Sequence, residues 1–420
     1  MSFVGRLKTG RRRRRLVVVF AVLGPGVIAA NAGNDAGGIA TYASSGSQFV
    51  YRMLFLMVLI TVALVVVQEM SARLGAYTGE GLVSLIREQF TLRLATFALV
   101  CMLVANLGLV VSEFAGIGAA FELFGVSRYL AIPLAAVGIW AIVVFGSYSW
   151  AERFFLLLSV AFLAYPIAAV LGHPDWGAVA ANTVWPHFVA SHAFLVLAVA
   201  LIGTTITPYM QLYQAAAVAD RGIGPEEYPH ERVDAVGGAI FANLISMFII
   251  IATAAAIGGS GVLKSADQAA RALEPVAGSN ATTLFAIGLL GASCLAAAVV
   301  PLATAYGVAE AFGTERSVSR RFSEAPLFLG LFSGLVAVGA LVALIPGNLI
   351  QLLISMQILN GLITPVILTF ILVLANRRSV LGDAVNTPRF RAVATVCVVV
   401  VAVLAGAVVL LTLLGWLGLG

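Results

Sequence analysis

Charge is scarce in this chain. Of its 420 residues only 10% are Asp, Glu, Lys or Arg, against 61% hydrophobic. So few charges cannot cover the water-facing surface of a soluble domain of this size. Cysteine is nearly missing as well. Cys101, Cys294 and Cys397 lie far apart within apolar runs, which gives neither a disulfide framework nor a metal-binding spacing. The histidines (His173, His187, His192 and His230) fall in loops or at the ends of apolar segments, so a close histidine metal pair is lacking. Glycine-rich phosphate motifs are lacking too, and no resident cofactor is expected. Connections between apolar segments are too short to hold a separate soluble domain.

What the chain has is length in apolar segments. At ~20 apolar residues per crossing, it divides into about eleven spans: 16–43, 50–74, 93–120, 128–148, 152–172, 192–219, 233–258, 279–309, 327–346, 349–375 and 391–417. The expected fold class is an all-α membrane protein with the lipid bilayer as its surroundings. The net charge of +5 does not point to nucleic acid, because Arg6, Lys8 and Arg11 to Arg15 crowd the first fifteen positions. Such a run beside an apolar stretch reads as an uncleaved cytoplasmic retention signal. With the N-terminus cytoplasmic, twenty of the 24 Lys+Arg fall on inner segments; only Arg52, Arg128, Lys264 and Arg271 fall on outer ones. One missed or extra span early in the chain would scramble that bias. The C-terminus is then expected outside, in a plasma (inner) membrane protein.

Two spans are interrupted. Span one contains Asn34-Asp35-Ala36-Gly37-Gly38, and span six contains Thr204-Thr205-Ile206-Thr207-Pro208. An acid and a Gly-Gly pair are both costly in a hydrocarbon-spanning helix. Paired broken helices in corresponding positions of two halves mark a transporter's binding site. Their spacing predicts an inverted five-plus-five repeat with broken helices 1 and 6: a basic tail (1–15), a first repeat (16–172), a second repeat with its preceding loop (173–375), and a loop with an added helix 11 (376–420).

Asp35 is the first candidate site residue. A carboxylate at mid-membrane needs a cation, a basic partner or a proton, and no Lys, Arg or His lies centrally in any span. A permeating cation is the natural partner, although the same side chain also suits a helix cap. Gly37 and Gly38 are expected to let the backbone leave the helix and turn carbonyls, such as that of Ala32, toward a cavity. Thr207-Pro208 frees a carbonyl near Thr204, since proline has no N–H to donate; an ordinary proline kink is the plainer reading. Gln357 in span ten, with Asn360 near it, offers a neutral oxygen at depth or an amide that holds helices together. Glu69 and Glu113 are expected near span ends or in a polar helix contact, leaving Asp35 without a second acid at its level. An intramembrane enzyme, which needs such a pair or another catalytic set, is therefore disfavoured, and the chain is read as a non-enzyme.

These residues resemble the Nramp family of divalent-metal transporters. The resemblance runs over most of the chain: Gly24-Pro25-Gly26 followed by Asp35-Ala36-Gly37-Gly38-Ile39-Ala40-Thr41; Gln68-Glu69-Met70-Ser71-Ala72-Arg73-Leu74-Gly75 with Thr78-Gly79; Gly203-Thr204-Thr205-Ile206-Thr207-Pro208; and Gln357 with Pro365. It implies the inverted five-plus-five fold, a divalent metal ion as substrate and no obligate protein partner. It also implies a metal set of Asp35, Ala32, Gly38, Thr204, Thr207 and Gln357.

The departures from the family pattern carry chemistry. The family's Asp-Pro-Gly-Asn is here Asp35-Ala36-Gly37-Gly38, and its Met-Pro-His is Thr207-Pro208-Tyr209. A thioether favours transition metals, and a hydroxyl in its place leaves an all-oxygen site. Loss of the Asn side chain widens the cavity, which suits Mg²⁺, an ion that dehydrates reluctantly and keeps several waters. The pattern is similar to the magnesium-transporting branch of the family, which also accepts Mn²⁺. A second helix-six histidine is matched by Gln214, and a helix-three Asp by Val110, so of the groups thought to pass a proton only Glu113 remains. Uncoupled transport is expected. The alternatives are a proton-coupled Mn²⁺/Fe²⁺ symporter, a sodium-coupled organic-solute transporter and a channel.

Overall fold

The structure is a computed structural model that describes residues 35–145, 160–314 and 324–417. Every regular element among the described residues is helical. Nine of these helical segments are long and apolar enough to cross a membrane. The two expected spans not among them, one and five, both run into residues outside the described set.

The principal helices, in chain order, are α1 (Ala36–Phe49), α2 (Leu54–Thr78), the short α3 (Leu82–Gln89), α4 (Leu92–Leu123), α5 (Arg128–Phe145), α6 (Ala164–Leu171), α7 (His192–Thr205), α8 (Pro208–Asp220), α9 (Tyr228–Ile257), α10 (Ala281–Ala311), α11 (Pro326–Ala343), α12 (Leu349–Ala375) and α13 (Pro388–Trp416), with shorter helical turns in the connections. α1 falls in the later part of the expected span one, and α7 and α8 are the two halves of span six. Span ten matches its expected limits, 349–375, to the residue. The reason is local: Asn348 caps the start by accepting the Gln351 N–H at 3.1 Å, and the polar Asn376-Arg377-Arg378 follows the end.

The hydrogen bonds between connecting segments test the span count. At one end Arg73 donates to the Ala384 carbonyl, Arg87 to that of Ala311 and Arg377 to that of Gln89. Tyr306 donates to Asp220 there at 2.5 Å. At the other end Ser47 donates to the Gly261 carbonyl, Arg128 to that of Gly347, and Asn348 to that of Lys264. Each pair joins segments expected on one side, so the alternation of ends holds. We call the first of these the basic end.

Packing is close around the broken helices. α1 lies along α9, α4 is sandwiched between α10 and α12, and α7 crosses α12. At that last crossing a side chain on Gly203 would strike the Gln357 carbonyl and the Gly361 nitrogen, while one on Gly361 would strike the Val199 carbonyl. Without a large hydrophobic driving force between helices in lipid, such backbone approach is what van der Waals attraction rewards. α13 packs on α12 and α7 and presents most of its surface outward, as an added helix would.

Candidate cation site at two helix breaks

Asp35 stands at the start of α1 with extended backbone, φ −68° and ψ 171°. Its Oδ1 accepts the Gly38 N–H at 2.5 Å and the Thr204 hydroxyl at 3.4 Å. The carboxylate therefore caps α1 and faces α7, and it is 2% exposed. The expected unwinding at Gly37 and Gly38 is corrected: both lie in the regular first turn of α1, and the helix starts after Asp35. The missing side chain of Gly37 serves contact instead. A Cβ on Gly37 would lie 2.6 Å from Ser112 Oγ and on top of the Gln357 amide. Gly38 donates its N–H to Asp35.

Span six breaks where proline dictates. α7 ends at Thr205, and the Ile206 N–H closes its last turn on Ile202 at 2.8 Å. Beyond Ile202 the carbonyls of Gly203, Thr204 and Thr205 have no following helical N–H to accept, because Thr207 is extended and Pro208 opens α8. These carbonyls form the negative end of α7, which favours cations. Thr207 supplies no cap, and its buried hydroxyl has no hydrogen-bond partner.

The structure thus brings Asp35, Gly38, Thr204 and Gln357 into one neighbourhood, with Thr207 in the adjoining break. Gln357 is fully buried, and neither of its amide atoms has a hydrogen-bond partner. Asn360, one turn further along α12, is in the same state, while Thr364 ties α12 to the break by donating to the Ile206 carbonyl at 3.3 Å. Ala32 lies outside the described residues.

Glu113 is the residue that the sequence reading misplaced. It is fully buried in α4, and its Oε2 accepts the Ala36 N–H at 3.4 Å, beside Asp35. Asp35 therefore has a second acid at its level. The physical reason is depth: α4 has 32 residues, and ten of them follow Glu113, about 15 Å at 1.5 Å per residue. Counting that depth from the helix end is the signal that would have found it. Tyr209, in the first turn of α8, is buried beside the break of span six. No basic side chain is paired with either acid among the described residues, and no cluster of three or more His, Cys, Asp or Glu surrounds them.

The family model "Natural resistance-associated macrophage protein-like" matches residues 26–411, most of the chain. The chain belongs to the Nramp family. It is 28% identical over 393 residues to the divalent metal cation transporter MntH of Aeromonas hydrophila, covering 90% of this chain and 93% of that one. It is 27% identical to the Klebsiella pneumoniae protein of the same name, with 98% of each chain covered. Among solved structures, a manganese transporter of Eremococcus coleocola in complex with an aromatic bis-isothiourea substituted compound superposes with a TM-score of 0.75. That match is 20% identical and covers 96% of this chain and 90% of that one. The fold is accordingly the all-α membrane architecture that the hydropathy implied, with span six broken between Thr205 and Pro208; the first part of span one lies outside the described residues.

The departures of this Nramp-family chain from the expected pattern have definite places. Gln214 is turned to the basic end, where its amide donates to Glu231 at 3.0 Å, away from Asp35. Val110 is fully buried against Gly339 of α11, whose missing side chain leaves room for the valine methyl. An acid at position 110 would face that apolar contact.

Proposed function

We propose that this chain carries divalent metal cations across a plasma membrane by alternating access, with Mg²⁺ as principal cargo and Mn²⁺ accepted, and without moving protons. The observation that carries the reading is the meeting of two buried carboxylates, Asp35 and Glu113, with the carbonyl end of α7 and no basic partner. Two negative charges at depth suit a divalent ion. Relatives named as divalent metal cation transporters support the substrate class.

In this reading Asp35 binds the ion directly, the Ala32 and Thr204 carbonyls add neutral oxygens, and Thr207 and Gln357 act partly through water. Gly38 leaves the room that a larger side chain would fill. All the donors are oxygen, which removes the soft-metal bias and suits a partly hydrated Mg²⁺. The apolar contact at Val110 and the turned-away Gln214 support transport without proton movement. An inside-negative potential favours divalent entry by ~4.6 kcal/mol per 100 mV, twice the single-charge value. The two repeats span 16–172 and 173–375, the basic end faces the cytoplasm with the N-terminus, and the C-terminus lies outside.

A second reading, proton-coupled Mn²⁺/Fe²⁺ symport, is favoured by one observation: Glu113 Oε1 is buried and has no hydrogen-bond partner, as a proton acceptor beside the ion would be. Proteoliposome uptake of Mg²⁺, with Mn²⁺ and Ca²⁺ as competitors and an internal pH dye, separates the two. Mg²⁺ entry at constant internal pH is the expected result. Mn²⁺ entry with acidification and no Mg²⁺ flux would establish the second reading.

A further inference from the structure

Asp35 Oδ1 is satisfied by the protein, but several polar groups packed around the first turn of α1 are not. Ser112 Oγ, Glu113 Oε1 and Ser293 Oγ have no hydrogen-bond partner, and all three residues are fully buried. Geometry places them together. Ser112 touches Gly37, and Glu113 accepts the Ala36 N–H. A side chain on Gly116, one turn beyond Glu113, would strike both Ala36 and Ser293. Three helices, α1, α4 and α10, therefore meet where these unpaired oxygens are buried around the first turn of α1. The Gln357 amide, also unpaired, closes the patch from α12.

Buried polar atoms without partners are few in native proteins and call for bound water or an ion. A carboxylate oxygen and two hydroxyls with no basic neighbour accept hydrogen bonds well, and water molecules polarised by a divalent cation are strong donors. We propose that Ser112, Glu113 and Ser293 form an outer-sphere pocket that holds hydration water of the transported cation, so that the two serines set the preference for an ion that keeps its waters. This rests on the divalent-cation reading above and adds to it residues on α4 and α10, helices that supply none of the six metal-site residues expected from the sequence. The serines touch water rather than metal, and their role is to bias selectivity. An ion that sheds water readily gains less from them than Mg²⁺ does.

The test is Mg²⁺ and Mn²⁺ uptake by proteoliposomes carrying the wild type, Ser112→Ala, Ser293→Ala and the double variant, with thermal unfolding of each as a control. Removing an oxygen from a buried small side chain leaves packing nearly intact, so all four are expected to fold. In the double variant the Mg²⁺ to Mn²⁺ ratio of kcat/KM is expected to fall by about tenfold, with a smaller loss in each single variant. Equal losses for the two ions, or no loss, would overturn the pocket while leaving wild-type Mg²⁺ uptake, and the reading it supports, in place. A wild type that takes up Mn²⁺ alone would instead overturn the magnesium reading. The pocket is then judged on the Mn²⁺ KM of the double variant, and an unchanged KM would overturn it too.

Discussion

Among the described residues, the buried charges at the basic end and those at the start of α1 are built on opposite plans. At the basic end, Glu69 of α2 accepts the Tyr228 hydroxyl at 2.5 Å, pairs with Arg73 at 3.1 Å and lies 3.8 Å from Arg232. Arg73 also donates to Asn386 and Ala384 and stands over the Phe390 ring. Every charge there has an internal partner, and the partners come from α2, α9 and the segment leading into α13. At the start of α1, Asp35 and Glu113 have backbone N–H groups and a hydroxyl as partners but no opposite charge. A buried ion pair closed by the protein holds elements together; in the function proposed above, the buried acids left open at two helix ends take a mobile cation as their partner. The same residue types in the same apolar surroundings are thus separated in role by whether the counter-charge is covalently part of the chain.

The comparison breaks most sharply at Asp35. In proteoliposomes Asp35→Ala is expected to lower divalent-cation uptake by about a hundredfold or more, since a charged ligand is lost at depth. Thermal unfolding without added metal should be unchanged or shifted upward, because the variant removes a buried charge that nothing in the protein neutralises. Retained uptake would remove Asp35 from the site. A large loss of stability would show that capping α1, as Asn348 caps α12, is its main role.

Arg73→Ala should invert that pattern. It leaves Glu69 buried with only the half-exposed Arg232 as a nearby cation and frees the loop that Ala384 and Asn386 anchor. Breaking one side of a buried pair costs about 3–5 kcal/mol, read as a lower unfolding temperature and a poorer yield of folded protein. A variant as stable as the wild type would show that the basic-end cluster is replaceable, and the distinction between closed and open charge would lose its structural half.

How far the sequence reveals these clusters follows from the range of the interactions. The break in span six was legible because Pro208 acts on its own turn, and the edges of α12 because Asn348 and Arg377 flank an apolar run. Asp35 was legible as an acid where no acid belongs. Glu113 was not, because its importance depends on the packing of α4 against α1, a contact across 77 residues. The partners of Arg73 were hidden for the same reason: Asn386 lies 313 residues away. Gly37 and Gly38 were legible as unusual but misread, since a glycine pair can unwind a helix or let a neighbour approach it; both sit in regular helix, and at Gly37 the Gln357 and Ser112 side chains are the neighbours.

Thr207 offers the finest probe of the open cluster. Its backbone is extended, φ −74° and ψ 140°, where α8 begins, and its hydroxyl is buried and unpaired. Thr207→Met replaces a hard oxygen with a polarisable thioether, which favours transition metals over Mg²⁺. In competition uptake the preference is expected to move toward Mn²⁺ by about tenfold, roughly 1.4 kcal/mol, with the basic-end cluster and the unfolding temperature little changed. Adding Gly38→Asn should move it further, because it restores the amide oxygen of the family pattern next to the Asp35 cap. If Thr207→Met leaves the Mn²⁺ to Mg²⁺ ratio where it was, the hydroxyl does not face the ion, and the neutral oxygens of the site would have to come from the α7 carbonyls and Gln357.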